Sequence, residues 1–149
     1  MRIVSMEDNK KRCLDLLLLA DEQESMIDRY LERGSMFALE EAGETVGVCV
    51  VTDEGGGVYE IKNIAVRPPA QGRGYGRAMI EYAVQQCRRA GAHTLLVGTG
   101  DSPLTVPFYE RCGFVRSHVI RDFFTDHYDH PIIEAGVQLR DMVYLKRTL

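Results

Sequence analysis

The chain predicts a mixed α/β (α+β) fold: a mostly antiparallel central sheet of six or seven strands with helices on both faces. Three observations predict it. The chain has 149 residues, 45% hydrophobic and 27% charged, which is enough for one core and too short for a large second domain. Three strand-like segments come first, followed by a strand–helix–strand–helix–strand order, and a sheet covered on both sides by helices is the simplest packing of that series. A glycine-rich stretch at 71–76 separates a strand from a helix. Residues 1–149 are therefore read as a single domain.

The elements follow in order. Arg2 to Met6 alternates polar and apolar and reads as a short strand. Two helical patterns come next, about Glu7 to Ala20 and Glu24 to Arg33, with Gly34 as a stop signal. Met36 to Glu40 and Thr45 to Thr52 are strands joined by the hairpin turn Glu41-Ala42-Gly43-Glu44. Gly55-Gly56-Gly57 marks another turn, and Val58 to Val66 is the next strand. Pro68-Pro69 ends it, because neither proline can donate to a ladder. A helix is expected over about Tyr75 to Ala90, where Met79, Ile80, Ala83, Val84 and Cys87 form an apolar stripe. Arg88 and Arg89 in its last turn suit the helix dipole, and Gly91 follows as its stop. Thr94 to Val97 is a short strand. A further helix follows Ser102 and ends near Cys112-Gly113; Pro107 removes a backbone donor, so this helix starts late or is kinked. Phe114 to Phe123 and Met142 to Lys146 read as the last strands, with a loop between them.

Composition excludes several classes. The apolar fraction rules out intrinsic disorder and collagen-like repeats. No apolar run approaches the ~20 residues that span a bilayer. Met1 to Cys13 lacks the apolar core of a signal peptide. Cys13, Cys49, Cys87 and Cys112 are scattered and form no CxxC pair, as expected for buried thiols in a cytoplasmic protein. Charge is uneven. Residues 1–60 carry 14 acids and 6 bases, residues 61–92 carry 1 acid and 6 bases, and residues 93–149 carry 7 acids and 6 bases. A basic middle between acidic and neutral flanks points to one anionic ligand bound locally. No broad basic face pairs with aromatics, so no nucleic-acid partner is expected.

The chemistry centres on Gln71-Gly72-Arg73-Gly74-Tyr75-Gly76-Arg77. A strand, a glycine-rich turn and a helix start together make an anion site, because glycines expose successive N–H groups and the helix N-terminus adds about half a positive charge. Arg73 and Arg77 add planar, charge-assisted donors for a phosphate. The stretch lacks GxxxxGK[ST], and Gly72-x-Gly74-x-Gly76 misses the G-x-G-x-x-G spacing, so neither an ATP-type P-loop nor a dinucleotide fingerprint is present. The residues alone leave a phosphate or pyrophosphate cradle and a plain tight turn both open.

Ile64-Ala65-Val66-Arg67-Pro68-Pro69-Ala70-Gln71-Gly72-Arg73-Gly74-Tyr75-Gly76 resembles the GCN5-related N-acetyltransferase (GNAT) superfamily, whose Q/R-x-x-G-x-G/A signature is matched by Gln71, Gly74 and Gly76. Phe108-Tyr109-Glu110-Arg111-Cys112-Gly113-Phe114 resembles the family's second signature, in the expected order and separation. Tyr128 to Gly136 and Asp141 to Leu145 are similar to a bacterial subgroup of uncharacterised members. The resemblance implies acetyl-CoA as the acetyl donor, held in a V between the parallel strands Val58–Val66 and Thr94–Val97. It places the pyrophosphate on the N–H groups of about Gly72 to Arg77 and the pantetheine amides on the backbone of Ile64, Ala65 and Val66. The N–H of Val66 then serves as oxyanion donor. Ser102 stands where many members have an Asn that contacts pantetheine; otherwise it is a helix cap.

Direct transfer needs an amine that loses a proton and a thiolate that gains one. Tyr109 matches the family's proton donor; the alternative is a core aromatic. Glu60 is the base candidate, since its spacing to Gln71 matches that of the base in some protein-acetylating members. Lys62, two residues on and on the same face, is an alternative partner for it. Asp126-His127-Tyr128-Asp129-His130 lacks a distant third ligand motif and is assigned to loop solvation, so no metal is expected. The expected acceptor is a small-molecule or peptide amine. Acids at Glu22, Glu24 and Asp28 favour a cationic one. A non-catalytic acetyl-CoA sensor is the alternative function. The oligomeric state is left open by the residues; the resemblance implies the C-terminal strands as the place where a homodimer would pair.

Overall fold

The structure is a computed structural model that describes residues 1–149. Seven strands make one sheet: β1 (Arg2–Met6), β2 (Ser35–Glu41), β3 (Glu44–Gly55), β4 (Val58–Val66), β5 (Thr94–Gly100), β6 (Val115–Ile120) and β9 (Met142–Thr148). Their spatial order is β1-β2-β3-β4-β5-β9-β6. Every neighbouring pair is antiparallel except β4 with β5. A separate two-stranded hairpin joins β7 (Ile133–Glu134) to β8 (Val137–Gln138). No helix is long and apolar enough to cross a membrane.

Period-two alternation divides the inner strands between two cores. Met36, Ala38, Val48 and Val50 pack with Leu16, Leu17, Ile27 and Leu31, from α1 (Leu14–Ala20), α2 (Glu24–Ile27) and the turn after it. Phe37, Leu39, Cys49 and Val51 face the other way, onto the stripe of α3 (Tyr75–Arg89) and onto α4 (Val106–Arg111). The α3 stripe of Met79, Ile80, Ala83, Val84 and Cys87 is no more than 2% exposed. Arg147 of β9 donates to Glu81 of α3 at 2.6 Å and to the Cys112 carbonyl at 3.0 Å, which fixes the end of α4 against α3. The four cysteines are free and buried.

Several boundaries differ from the sequence reading, for identifiable reasons. Asn9 adopts a left-handed conformation, so the first helix opens only at Lys10 as a 3-10 turn running into α1. The buried Lys10 ammonium donates to the carbonyls of Leu31 and Gly34, ending the next helical region from outside. That region contains one α-turn, Glu24–Ile27, followed by turns to Gly34 rather than a helix to Arg33. β5 extends past Val97 to Gly100, because β9 continues to pair with it. The helix after Ser102 starts late, at Val106, with Pro107 in its first turn. Residues 121–141 are more ordered than a loop. They hold α5 (Phe123–His127), the β7–β8 hairpin and a small core of Phe124, Ile132 and Leu139.

Candidate active site

The site begins with a defect in β4. Val50 of β3 pairs with Asn63 and Val51 with Ile61, so Lys62 is an extra residue that no β3 residue opposes. Such a bulge bends its strand and interrupts pairing. Beyond it β4 loses its parallel partner: pairing with β5 runs from Val58↔Thr94 to Ile61↔Val97 and stops. The remaining residues of the two strands diverge around a cavity of about 310 Å³, lined by Ile61 to Val66 on one side and Val97 to Gly100 on the other.

The free edge of β4 follows from the register. The Arg67 N–H donates to the Val46 carbonyl at 2.8 Å. In an antiparallel ladder, bonded pairs alternate, so Ala65 and Asn63 also direct their backbone groups to β3. Ile64 and Val66 direct theirs to the cavity. The sequence expectation of three backbone partners is thereby corrected: Ala65 supplies wall but no free N–H or C=O, while Ile64 and Val66 remain. The Val66 carbonyl accepts the Gln71 side-chain amide at 2.9 Å, and Gln71 itself lines the cavity.

The stretch after Gln71 is rich in unused donors. Gly72 and Gly74 have φ of +80° and +82°, a conformation that costs an L-residue roughly 1–2 kcal/mol. With both turned this way, none of the six backbone N–H groups from Gly72 to Arg77 has an acceptor in the protein. The last three belong to the first turn of the 15-residue α3. Gly76 serves packing instead. A Cβ there would lie 3.1 Å from Cζ of Phe108, so its absence lets α4 approach α3. Arg77 is exposed and forms no ion pair. Arg73 lies 3.4 Å from Glu41, and Tyr75 donates to the same carboxylate at 2.5 Å. An exposed pair of that kind is worth at most about 1 kcal/mol, so Arg73 remains open to a stronger anion.

Tyr109 reaches the cavity from α4. Its ring packs edge-on against Phe108 and Phe114, with centroids 5.3 and 6.0 Å away. The side chain lines the cavity, and its hydroxyl has no partner in the protein. Burial, reinforced by Cys49, Cys112 and Glu134, holds the phenol well above its ordinary pKa. Tyr109 therefore keeps its proton at neutral pH and brings a protonated hydroxyl to the cavity wall.

Glu60 is elsewhere. It is 6% exposed, 3.0 Å from the Lys62 ammonium and 3.0 Å from the Tyr144 hydroxyl, which donates to it. It lines an adjoining cavity of about 210 Å³, which shares Asp21, Ile61, Lys62, Gly98, Tyr128 and Met142 with the first. Ser102 is 4% exposed, and its hydroxyl accepts the Leu104 N–H at 3.1 Å, so it shapes the turn before α4. The threonine hydroxyls on the cavity wall are those of Thr99 and Thr105, 2.8 Å apart. Sequence reading missed both threonines. The signal was position: Thr99 lies on β5 beyond Val97, where the expected strand ended.

The acidic end of the cavity is also assembled differently from the expectation. Glu22 lines it. Glu24 and Asp28 both pair with Lys11 at 2.8 Å and lie outside its wall. Asp21, unmarked in the sequence reading, accepts the Tyr30 and Tyr128 hydroxyls at 2.9 and 2.6 Å. Burial raises its pKa against the pull of those two bonds. His127 packs on the Phe123 ring, and His130 pairs with Asp129 and Glu22.

Known proteins are similar to this chain in sequence and in fold. Residues 5–114 match the model of the acetyltransferase (GNAT) family. The uncharacterized N-acetyltransferase YvbK of Bacillus subtilis is 38% identical over 146 residues, covering 97% of this chain and 94% of that protein. A crystal structure of a GNAT family acetyltransferase from Elizabethkingia anophelis with acetyl-CoA bound is 31% identical with a TM-score of 0.95, covering 99% of this chain and 97% of that one. A Bacillus subtilis acetyltransferase in complex with CoA is 38% identical with a TM-score of 0.92, covering 99% and 98%. With its glycine cradle, splayed strands and buried tyrosine, the chain belongs to the GNAT family of acetyltransferases.

Proposed function

We propose that residues 1–149 act as one acetyl-CoA-dependent N-acetyltransferase domain, which moves the acetyl group directly to a primary amine of a small molecule or peptide. The observation that carries this reading is the run of six unpaired N–H groups from Gly72 to Arg77 beside the cleft where β4 and β5 diverge. Those donors suit a pyrophosphate, and Arg73 and Arg77 add charge. The free edge at Ile64 and Val66 suits the amides of a pantetheine arm. Resemblance to proteins that hold acetyl-CoA and CoA supports the same donor.

The steps follow from the groups present. The amine arrives protonated and gives up a proton, to Glu60 directly or through water in the adjoining cavity. Its lone pair attacks the thioester carbon, and the Val66 N–H stabilises the oxygen that gains charge. The carbon–sulfur bond breaks, and Tyr109 gives its proton to the departing thiolate. Of the two protons then on the new amide nitrogen, one passes through water to the phenolate and the other stays as the amide N–H. Acids at the cavity end, Asp21 and Glu22, favour cationic acceptors. Pairing of two copies along β6, the sheet edge with exposed Val115, Val119 and Ile120, and residence in the cytoplasm complete the proposal.

Detection of free thiol with acetyl-CoA against a panel of cationic, neutral and anionic amines tests the reading. Release of thiol with cationic amines first is the expected result. Heat of CoA binding without thiol release from any amine would make the protein a sensor instead.

A further inference from the structure

Two buried side-chain oxygens in the whole chain have no hydrogen-bond partner: Oδ1 of Asn63 and Oε2 of Glu134. Both residues line the same cavity, the one that Tyr109 lines. Both atoms are acceptors. A buried acceptor left without a donor costs about 1–3 kcal/mol, and buried polar atoms in native proteins are rarely left so. Two in one cavity wall point to a ligand that supplies donors there.

The two groups are held differently. Asn63 is 3% exposed, and its amide nitrogen is spent on the Leu17 carbonyl at 3.0 Å and on the Tyr30 hydroxyl at 3.1 Å. Those two bonds fix the orientation of the amide and leave its oxygen as the free end. Glu134 comes from the distant β7–β8 hairpin. Its carboxylate forms neither a hydrogen bond nor an ion pair within the protein, and it is near enough to Tyr109 to help hold that phenol protonated. Asp21 and Glu22 line the same cavity. One cation on the wall, Lys62, is engaged by Glu60. The unclaimed groups around the tyrosine thus accept protons in hydrogen bonds and carry negative charge.

We propose that Asn63 and Glu134 together hold the ammonium group of the acceptor, so that the substrate enters as a protonated primary amine and is oriented by these two oxygens beside Tyr109. The assignment rests on the acetyltransferase reading above and adds to it which residues select the acceptor. An ammonium has three N–H donors, enough for both oxygens with one to spare. The third proton is the one a base removes before attack.

Full-length protein is tested for thiol release with acetyl-CoA and four cationic probes: 1,4-diaminobutane, spermidine, tyramine and alanine amide. For the best probe, Glu134→Gln raises the amine KM about tenfold, as expected for loss of a charge-assisted bond, while the acetyl-CoA KM stays within about twofold. Glu134→Asp recovers part of the loss. Asn63→Ala moves the amine KM in the same direction, with its melting temperature measured alongside because the amide also ties Leu17 to Tyr30. An amine KM for Glu134→Gln within about twofold of the parent overturns the assignment. So does a rise in acetyl-CoA KM instead, which would give the two oxygens to the pantetheine amides. Binding of CoA with thiol release from neutral or anionic amines of the panel but from none of the four cationic probes overturns the ammonium assignment alone. Absence of CoA binding overturns it together with the acetyltransferase reading.

Discussion

The two ends of the cleft are built on opposite plans. The donor end is local: Gln71 to Arg77 supplies a run of unpaired N–H groups and two guanidinium groups from seven consecutive residues. The acceptor end is dispersed. Asp21 follows α1, Asn63 sits on the bulged part of β4, and Glu134 is on a hairpin near the C-terminus; the bond from Tyr128 to Asp21 alone spans 107 positions. The donor end offers hydrogens and positive charge, and the acceptor end offers oxygens and negative charge. On the proposed reading, an anionic cofactor and a cationic amine would thereby be separated before they meet at Tyr109. The difference teaches that a cofactor common to many enzymes can be held mainly by backbone, which short sequence encodes. A particular acceptor needs side chains gathered by the fold.

Variants at the junction of the two ends should have the largest effects. Tyr109→Phe removes the proposed proton donor and keeps the ring contacts with Phe108 and Phe114. A fall in kcat of about 10²- to 10³-fold is expected, with both KM values close to those of the parent. A kcat within about threefold would show that the thiolate leaves unprotonated or takes its proton from water. Glu60→Gln should lower kcat about 10²-fold at pH 7 if Glu60 takes the amine's proton. Because Glu60 is engaged by Lys62 and Tyr144, a rate within about threefold of the parent would leave it a structural partner of those two residues.

Smaller changes test each end by itself. Arg77→Ala should weaken CoA binding about five- to tenfold by calorimetry, as for loss of one charge-assisted contact. That deficit should shrink in high salt. Arg73→Ala should cost less, because Glu41 already shares that guanidinium. If neither moves the affinity, the backbone amides hold the anion unaided. The smallest effect concerns Asp21, whose folded pKa lies above its ordinary value of 3.8, chiefly through burial. The native state then holds this proton more tightly than the unfolded chain. Its contribution to stability is greatest at low pH and is lost as pH rises from 3.8 through the raised value. Asp21→Asn should flatten that part of the Tm profile, by about 2 °C or less; an unchanged slope would mean that other groups cause it.

Much of the donor end was legible in the sequence because its determinants are neighbours along the chain. Glycines at Gly72 and Gly74, a helix start at Tyr75 and the apolar stripe beginning at Met79 form a local pattern whose geometry follows from backbone sterics. The place of Tyr109 at the cleft was legible through the short run around it. Glu60 shows the limit. Its spacing to Gln71 marked it as a base, but its carboxylate is engaged by Tyr144, 84 positions away. Ser102 was placed near the right element and turned out to hold the turn before α4, while Thr99 and Thr105 face the cavity. Glu24 and Asp28 carry the expected charge and spend it on Lys11.

By itself the sequence determined most of the order of strands and helices, the two-faced sheet and the glycine-rich turn before α3, since these depend on periodicity, φ restrictions and helix ends acting over a few residues. Tertiary structure decided where β4 parts from β5, because the bulge at Lys62 exists only in relation to β3. It also decided which oxygens are left without partners around Tyr109. Whether a buried polar atom is satisfied depends on every element packed around it, and that set is assembled only when distant segments meet.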